Sequence, residues 1–332
     1  IAQSLAGLIK NSGLVLVMGH KNSDLDSFGA SLGVAKIAKA YGKKTNIVLD
    51  FDSIEQKTKN VANLVKSDER YKGLIVSYTE AMERIGKNTL LIIVDNHKPS
   101  LAISNALLER VKNKVIIDHH RRGEEFIEAP VLTYLEPAAS STVELVVELC
   151  DYQNTEVDMN ELDATIMYAG MLVDTNNFKQ RVGVRTFQSA AYLKELQANV
   201  TQAYEFLEDS YEETLKKLSV TQRSYQYNPY ILISCGEENE DYTRAMLSKA
   251  SNSLLEVSGI KASFTIGRVS KSVVAISARS AKDINVQIIM ENMGGGGHFS
   301  MAAAQFENQS IEDVRLLLEE KIKEYLDDRG EV

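Results

Sequence analysis

Short apolar runs alternate with amphipathic stretches along the first half of the chain. Residues 14–18 are typical of a buried strand, and a helical periodicity follows over residues 28–41. Further apolar runs occupy residues 45–49, 73–76, 90–94 and 115–117, with helical patterns between several of them. Buried strands that alternate with helices are typical of a parallel sheet covered on both faces. The first half is therefore predicted to be an α/β domain with a mainly parallel sheet.

The second half changes pattern twice. Residues 141–173 are predicted to be helical, residues 174–178 break the periodicity, and two more helical stretches extend to residue 227. Strands are then predicted at residues 231–234, 263–268 and 273–278, with helices near 242–256 and 283–292 and a terminal helix with a frayed tail over 319–332. We therefore expect three parts: an α/β domain over 1–185, a helical linker over 186–227, and a second, smaller α/β domain over 228–332, with a cleft between the domains.

Composition limits the functions that this fold could serve. The chain has 332 residues, more than most single domains, and a formal net charge of −9, which opposes tight binding of long nucleic acids. Cys150 and Cys235 lie far apart and outside any C-x-x-C pair, which argues against a disulfide scaffold or zinc finger and fits a cytoplasmic protein. No run approaches the ~20 apolar residues of a membrane span. Because the chain begins at Ile1, we expect a piece of a longer protein.

All five histidines lie in short polar segments, and three of these segments directly follow apolar strands. The segments are Gly-His-Lys-Asn-Ser-Asp-Leu-Asp, Val-Asp-Asn-His, Asp-His-His-Arg-Arg and Gly-Gly-Gly-Gly-His, which contain His20, His97, His119, His120 and His298. The carboxyl ends of parallel strands meet at one edge of a sheet, so the first three segments can converge. Carboxylate and imidazole ligands together suit Mn, Fe, Co or Zn.

The combination of these segments predicts a two-metal site. A single aspartate after a strand is explained equally well as a helix cap or turn residue, and a single histidine as a structural group. If every one of these residues were only structural, their occurrence at neighbouring strand ends would be a coincidence. The residues concerned are His20, Asp24, Asp26, Asp95 and the run Asp118-His119-His120. Two metal ions bridged by a carboxylate activate hydroxide and neutralise a phosphoryl group under attack. Asp174 ends an apolar stretch and could be a plain turn residue.

Two features of the second half suggest phosphate binding. The glycine run 294–297 before His298 would let the backbone approach a ligand and direct N–H groups at phosphate, or it could be a flexible loop. Arg279 and Ser280 close a predicted strand and offer a guanidinium and a hydroxyl, although a solvated strand end fits the same residues.

The ordered string His20-x-x-x-Asp24-x-Asp26, Asp95, Asp118-His119-His120 and Asp174 resembles the motif set of the DHH phosphoesterase superfamily. The second half, with Arg279-Ser280 and the glycine run, resembles the DHH-associated substrate-binding domain. More narrowly, Val-Asp-Asn-His, Asp-His-His-Arg-Arg and Gly-Gly-Gly-Gly-His-Phe-Ser-Met-Ala-Ala-Ala resemble the catalytic region of GdpP-type membrane-anchored cyclic di-AMP phosphodiesterases.

This resemblance implies a role for each matching residue. His20, Asp24 and Asp95 would hold one manganese ion, and Asp26, Asp95, His119 and Asp174 would hold the other, so that Asp95 bridges the two. Asp118 and His120 would orient His119 and the scissile phosphate. The far phosphate and adenine would be bound by a set in the second domain: Arg279, Ser280, Gly296, Gly297 and His298.

The resemblance implies a manganese-dependent hydrolase that opens cyclic di-AMP to 5′-pApA by attack of a metal-activated hydroxide. It also implies a homodimer, and a cytoplasmic catalytic region attached to a bacterial membrane only through upstream segments. A nanoRNase or pAp phosphatase acting on short oligonucleotides is the alternative within enzymes. A nucleotide-sensing module without turnover is disfavoured because every ligand-type position is present. The overall acidity disfavours a nucleic-acid-binding module.

Overall fold

The computed structural model describes residues 1–281 and 283–329, which form two compact units, the first Ile1–Glu208 and the second beginning at Asp209. Each unit has its own sheet and its own apolar core. The mixed α/β fold with a parallel sheet and a second, separate sheet confirms the predicted fold class. The division into parts ending at residues 185 and 227, and the cleft between domains, stay predictions.

The first unit is built on a sheet whose strands are all parallel. Its strands are β1 (Leu14–Met18), β2 (Lys44–Val48), β3 (Ile75–Val76), β4 (Thr89–Val94), β5 (Asn113–Asp118) and β6 (Leu132–Leu135). Their order across the sheet is β3-β2-β1-β4-β5-β6. Strands β2 and β3 therefore lie on one side of β1, and strands β4 to β6 lie on its other side. Every residue of β4 is buried, as expected for a central strand covered on both faces.

Helices pack on both faces of this sheet. They are α1 (Ala2–Lys10), α2 (Leu25–Ala40), α3 (Gln56–Ser67), α4 (Tyr78–Arg84), α5 (Asn105–Arg110), α6 (Thr142–Asp151), α7 (Glu161–Asp174), α8 (Val184–Glu195) and α9 (Val200–Glu205). Apolar side chains from the two sheet faces form separate clusters, one with α2, α6 and α7 and the other with α4 and α5.

Helices α2 and α7 pack closely against each other near the start of α2. A Cβ at Gly170 of α7 would lie 2.7 Å from the carbonyl oxygen of Leu25, so only glycine allows this approach. Helix α2 begins at Leu25, earlier than the predicted residue 28, because the Asp24 carboxylate caps it by accepting a hydrogen bond from Ser27 N. The predicted helix over 141–173 is two helices, and the second begins at the capping box of Asn160 and Asp163.

The second unit has a mixed sheet. Its elements are α10 (Tyr211–Gln222), β7 (Ser224–Asn228), β8 (Ile231–Cys235), α11 (Arg244–Leu255), β9 (Ala262–Ser270), β10 (Val273–Ser280), α12 (Val286–Glu291), β11 (Gly296–His298), β12 (Met301–Glu307) and α13 (Ile311–Asp328). The order is β11-β12-β10-β9-β8-β7, in which β8 and β9 are parallel and the other neighbours antiparallel.

Several elements of this unit differ from the prediction, among them β11, which forms where only a glycine-rich loop was expected. Strand β7 replaces the end of the predicted helical stretch, and its burial is only partial, which obscured the strand pattern. Strand β12 was not predicted because two of its three buried positions are alanines, Ala302 and Ala304, which give a weak apolar signal beside Phe306. Helix α13 begins well before residue 319, and residues 330–332 of the predicted terminal helix lie outside the described residues. Within the described part of the chain, no helix combines the length and apolarity needed to cross a membrane.

Candidate metal centre and nucleotide-binding cavity

The carboxyl ends of three neighbouring strands place the candidate metal ligands together. His20 follows β1, Asp95 follows β4 directly, and Asp118 is the last residue of β5 with His119 and His120 behind it. Asp24 and Asp26 stand at the start of α2, and Asp174 ends α7. This edge lies where the strand order reverses, which is the usual ligand site of an open α/β sheet.

The side chains form three groups whose ligand atoms lie within 4.8 Å of one another in each group. These groups are His20, Asp24 and Asp95; Asp26, His119 and Asp174; and Asp95, His119 and His120. The structure therefore brings together all six residues that the sequence analysis assigned to metal binding. Asp95 and His119 each belong to two of the groups, and the group that they share with His120 connects the other two.

Asp95 is held in a defined orientation by its surroundings. Its φ of 56° lies in the left-handed region, which aspartate and asparagine tolerate better than most residues. Its N–H donates to the carbonyl oxygen of Ile117 at 2.9 Å, and the Thr142 hydroxyl donates to its Oδ1 at the same distance. His20 Nε2 lies 3.3 Å from Oδ2, while His119 Nε2 lies 3.6 Å from Oδ1. Its two oxygens thus face different imidazoles.

The amino end of α6 fixes Asp26. The backbone N–H groups of Thr142 and Val143 donate to the two carboxylate oxygens of Asp26 at 2.8 and 3.0 Å. These are the first N–H groups of a helix, which have no partner within the helix and favour an anion. Thr142 therefore holds Asp26 through its backbone and Asp95 through its side chain, and it links two candidate ligands.

A second set of contacts holds the histidines that follow β5. The buried Asp118 carboxylate contacts His97 Nδ1 at 2.5 Å through one oxygen and His120 Nδ1 at 2.8 Å through the other. His97 is itself buried and stacks at a tilt against Phe126. Asp118 is therefore a shared anchor for two imidazoles, and it leaves the Nε2 atom of the half-exposed His120 directed away from that anchor.

Two residues of this centre were not identified as functional from the sequence. The sequence motifs give His97 no separate role, although its position two residues after Asp95 is a usable signal. Thr142 gave no signal, because a threonine after Ser141 at the start of a helix is explained fully by helix capping.

The pKa values of the cluster reflect several carboxylates that are buried close to one another. Burial raises the pKa of Asp26 and of Asp95 well above the usual value, and neighbouring carboxylates raise both further. Burial and Asp174 raise the pKa of Asp24 in the same direction. Burial opposes ionisation of Asp118 as well, but the hydrogen bonds from His120 and His97 outweigh it and lower the pKa of Asp118 to about 2.

These properties fit a divalent cation. His119 Nε2 is buried and lies 2.9 Å from Asp174 Oδ2, yet no described residue gives it a hydrogen bond of suitable geometry. Burial would lower the pKa of His119, but the carboxylates of Asp174 and Asp26 raise it to about 9. Buried carboxylates that disfavour one another's charge are stabilised by a metal ion, and the imidazole nitrogen is then a ligand. The donor set can hold a divalent metal.

The second unit contains a cavity of about 510 Å³ beside the glycine run. Arg279, Gly296 and Gly297 line it, together with Arg244, Ser248 and Gln305. The hydroxyl of the buried Ser280 donates to the carbonyl oxygen of Phe299, and His298 is exposed and paired with Met301 across the β11–β12 hairpin. The cavity thus has three of the five predicted substrate-binding residues in its wall, and neither Ser280 nor His298 is among its lining residues.

Arg279 is the principal charged group in that wall. Its guanidinium donates to Ser248 Oγ at 2.5 Å and to the carbonyl oxygen of Ala278 at 2.8 Å, while its Nε is buried without a partner among the described residues. Partial burial lowers its pKa. No described carboxylate forms an ion pair with it, so an anionic ligand would complete its interactions.

The glycines of the run have two different functions. A Cβ at Gly295 would lie 2.1 Å from the carbonyl oxygen of Ala303, and one at Gly297 would lie 2.4 Å from Ala302 Cα, so both positions require glycine for close packing against β12. A Cβ at Gly296 would meet no atom within 4 Å. A Cβ at Gly294 would likewise meet no atom within 4 Å, but of these two glycines Gly296 is the one that lines the cavity.

Comparison with known proteins supports the two-part organisation. Residues 14–171 match the DHH family, N-terminal domain, and residues 228–326 match the DHHA1 domain. The cyclic-di-AMP phosphodiesterase GdpP of Bacillus subtilis is 40% identical over 329 residues, which cover 98% of this chain and 50% of that protein. The cyclic-di-AMP phosphodiesterase PdeA of Listeria monocytogenes is 38% identical over 325 residues, with the same two coverages. The chain thus spans about half the length of these relatives.

A more distant relative and a solved structure extend the comparison. The bifunctional oligoribonuclease and PAP phosphatase NrnA of Thermus thermophilus is 24% identical, over 96% of this chain and 92% of that protein. The crystal structure of an exopolyphosphatase-related protein from Bacteroides fragilis has a TM-score of 0.79 at 18% identity and covers 98% of this chain and 96% of that one. At this identity the structural match shows a shared fold.

Proposed function

Because the chain belongs to the DHH family of phosphodiesterases, we propose that it hydrolyses cyclic di-AMP to the linear dinucleotide 5′-pApA. The convergence of six Asp and His ligands around the shared Asp95 carries the proposed chemistry. The substrate rests on relatives at 38–40% identity that are named cyclic-di-AMP phosphodiesterases.

We assign two manganese ions to this centre. One ion would be held by His20, Asp24 and Asp95, and the other by a set that shares Asp95 with it: Asp26, Asp95, His119 and Asp174. Two such ions, when bound, lower the pKa of water and neutralise charge on the phosphoryl group. Because Thr142 and the amino end of α6 hold Asp95 and Asp26 in place, the ligands need little rearrangement.

His120 is positioned to serve the leaving group. Asp118 accepts from His120 Nδ1, so the Nε2 atom of this half-exposed ring is free to face the substrate. Hydrolysis adds water to phosphorus and breaks the bond to the ribose O3′, which leaves a 5′-phosphate and a 3′-hydroxyl. We assign to His120 the donation of the proton that O3′ acquires, with Asp118 and His97 holding the ring in orientation.

The cavity of the second unit would bind a nucleotide portion of the substrate. Its Arg279 offers an uncompensated guanidinium to a phosphate, and Gly296 gives that phosphate or a base room to approach the backbone. Ser280 and His298 remain assigned to substrate binding on the resemblance alone. So do the homodimer and the attachment of this cytoplasmic region to a membrane through upstream segments.

The alternative is hydrolysis of short oligonucleotides or pAp, which the match to NrnA over nearly its whole length favours. To distinguish the two, purified protein with added Mn²⁺ is incubated with cyclic di-AMP, pApA or pAp, and the products are separated by chromatography. We expect the highest kcat/KM on cyclic di-AMP, conversion to 5′-pApA, and no turnover in EDTA. Faster hydrolysis of pApA or pAp would establish the alternative, and turnover in EDTA would refute the metal-dependent chemistry.

A further inference from the structure

The first unit contains a second cavity, of about 850 Å³, at the edge of the sheet opposite the metal centre. It lies at the amino ends of β1, β2 and β4, where Leu14, Lys44 and Thr89 begin the three strands. The five-residue β1 separates this edge from His20 by roughly 16 Å at about 3.3 Å per residue. The proposed function makes no use of this cavity.

The cavity wall is strongly cationic in a chain whose net charge is −9. Lys39, Lys43, Lys44, Arg84 and Lys87 line it, and neither an aspartate nor a glutamate does. None of these five side chains forms an ion pair with a carboxylate in the part of the chain that the structure describes. Partial burial lowers the pKa of Lys39, and the neighbouring Lys36 lowers it further. Asp163 acts in the opposite direction on Lys39, and Arg84 attracts Glu80, but neither carboxylate lines the cavity. The wall therefore carries a local excess of positive charge.

The cavity floor is polar and fixed. Thr45, Asn46 and Thr89 are buried there. The Asn46 amide donates to the carbonyl oxygen of Gly73 at 2.8 Å, and Gly86 N–H donates to Thr89 Oγ1 at 2.9 Å. A preformed concave site of this volume falls within the ~300–1,000 Å³ of small-molecule pockets.

We propose that this cavity binds a small polyphosphorylated ligand, of the class of nucleoside triphosphates or inorganic polyphosphate, separately from the substrate. Lysine ammonium groups and the arginine guanidinium are the usual protein partners of phosphate. Five such groups around one cavity match several phosphate charges better than one. The concave shape and buried polar floor favour a small ligand that enters the cavity. They fit a flat anionic surface, such as a membrane, less well.

The test is calorimetric titration of the whole chain with inorganic tripolyphosphate and, separately, with ATP. EDTA is added so that metal ions at the metal centre cannot bind phosphate. The salt concentration is about 0.15 M, which screens non-specific attraction of the probe to the charged protein surface. The pocket variant is Lys44→Glu with Arg84→Glu, which changes one exposed residue at a strand start and one at the end of α4. The matched control is Lys112→Glu with Arg110→Glu, two exposed residues before β5 and at the end of α5, outside the cavity.

We expect wild type to bind at least one of the two probes, the pocket variant to bind at least about tenfold more weakly, and the control to stay within about twofold of wild type. Equal thermal unfolding midpoints and equal hydrolytic rates would show that both variants are folded. No binding at millimolar probe, or equal weakening in both variants, would overturn the proposal. In a second arm, binding to phosphatidylglycerol vesicles without binding of either soluble probe would assign the surface to lipid headgroups instead.

Discussion

Replacing Asp95 by asparagine is expected to abolish hydrolysis and at the same time to stabilise the metal-free protein. Asparagine keeps the shape of the side chain and tolerates the left-handed φ of 56°, whereas alanine would add backbone strain. Its amide oxygen can still accept from the Thr142 hydroxyl. The substitution therefore removes one negative charge from the cluster while it changes little else.

The size of both effects follows from the surroundings of Asp95. A buried charge without a partner costs about 3–5 kcal/mol, and since His20 at 3.3 Å offsets part of this, about 1–2 kcal/mol should be recovered in metal-free protein. For a unit of this size that gain corresponds to a rise in Tm of roughly 2–8 °C. Loss of the shared ligand should lower kcat/KM by at least about 10³-fold, or about 4 kcal/mol of transition-state stabilisation.

The assay combines two measurements on wild type, Asp95→Asn and a control, Asp158→Asn, at an exposed position of the same unit. Thermal unfolding in EDTA should rank Asp95→Asn above wild type, and saturating Mn²⁺ should reverse that order because metal binding stabilises only a complete site. The control should match wild type throughout. Retention of more than a tenth of the hydrolytic activity, or a lower Tm than wild type in EDTA, would refute the bridging role.

Two further pairs of substitutions test the metal centre and the cavity of the second unit. Thr142→Val removes the hydroxyl that donates to Asp95, so kcat should fall about 10–100-fold. The control is Thr58→Val, which changes a buried hydroxyl that has no hydrogen-bond partner among the described residues and should leave kcat unchanged. Equal effects of the two substitutions would contradict the positioning role. Gly297→Ala forces a Cβ against Ala302 and should lower the free energy of unfolding by about 1–3 kcal/mol, as measured by urea denaturation. Gly296→Ala should leave stability within about 0.5 kcal/mol and raise KM severalfold, and an unchanged KM would place the substrate elsewhere.

The parallel sheet and the convergence of the candidate metal ligands could be predicted from the sequence for related reasons. Strands such as β4 are apolar at nearly every position, so they stand out without tertiary information. His20, Asp95 and the run from Asp118 directly follow such strands, and the rule that strand ends converge places them together. Asp174 comes from a helix, so its inclusion rested on the resemblance rather than on strand geometry.

The features that could not be predicted depend on contacts between distant segments. Thr142 lies 116 residues from Asp26, and no local pattern shows that the start of α6 meets that carboxylate. Strand β12 and the cationic cavity were also missed, since alanines carry little apolar signal and lysines at strand starts usually face solvent. The roles of Gly295 and Gly297 as packing positions became visible only once β12 was in place.

The distance along the chain between Asp26 and its anchor on α6 affects how the protein assembles. Ligands drawn from His20 through Asp174 cannot gather in the unfolded chain without closing loops of more than a hundred residues. Ions bound here as proposed would act as removable cross-links between segments that lie far apart along the first unit. A fragment that stops before α6 would keep Asp118, His119 and His120 but lose both the anchor of Asp26 and the candidate ligand Asp174. Metal retention would then report whether the part of the unit up to α7 has folded.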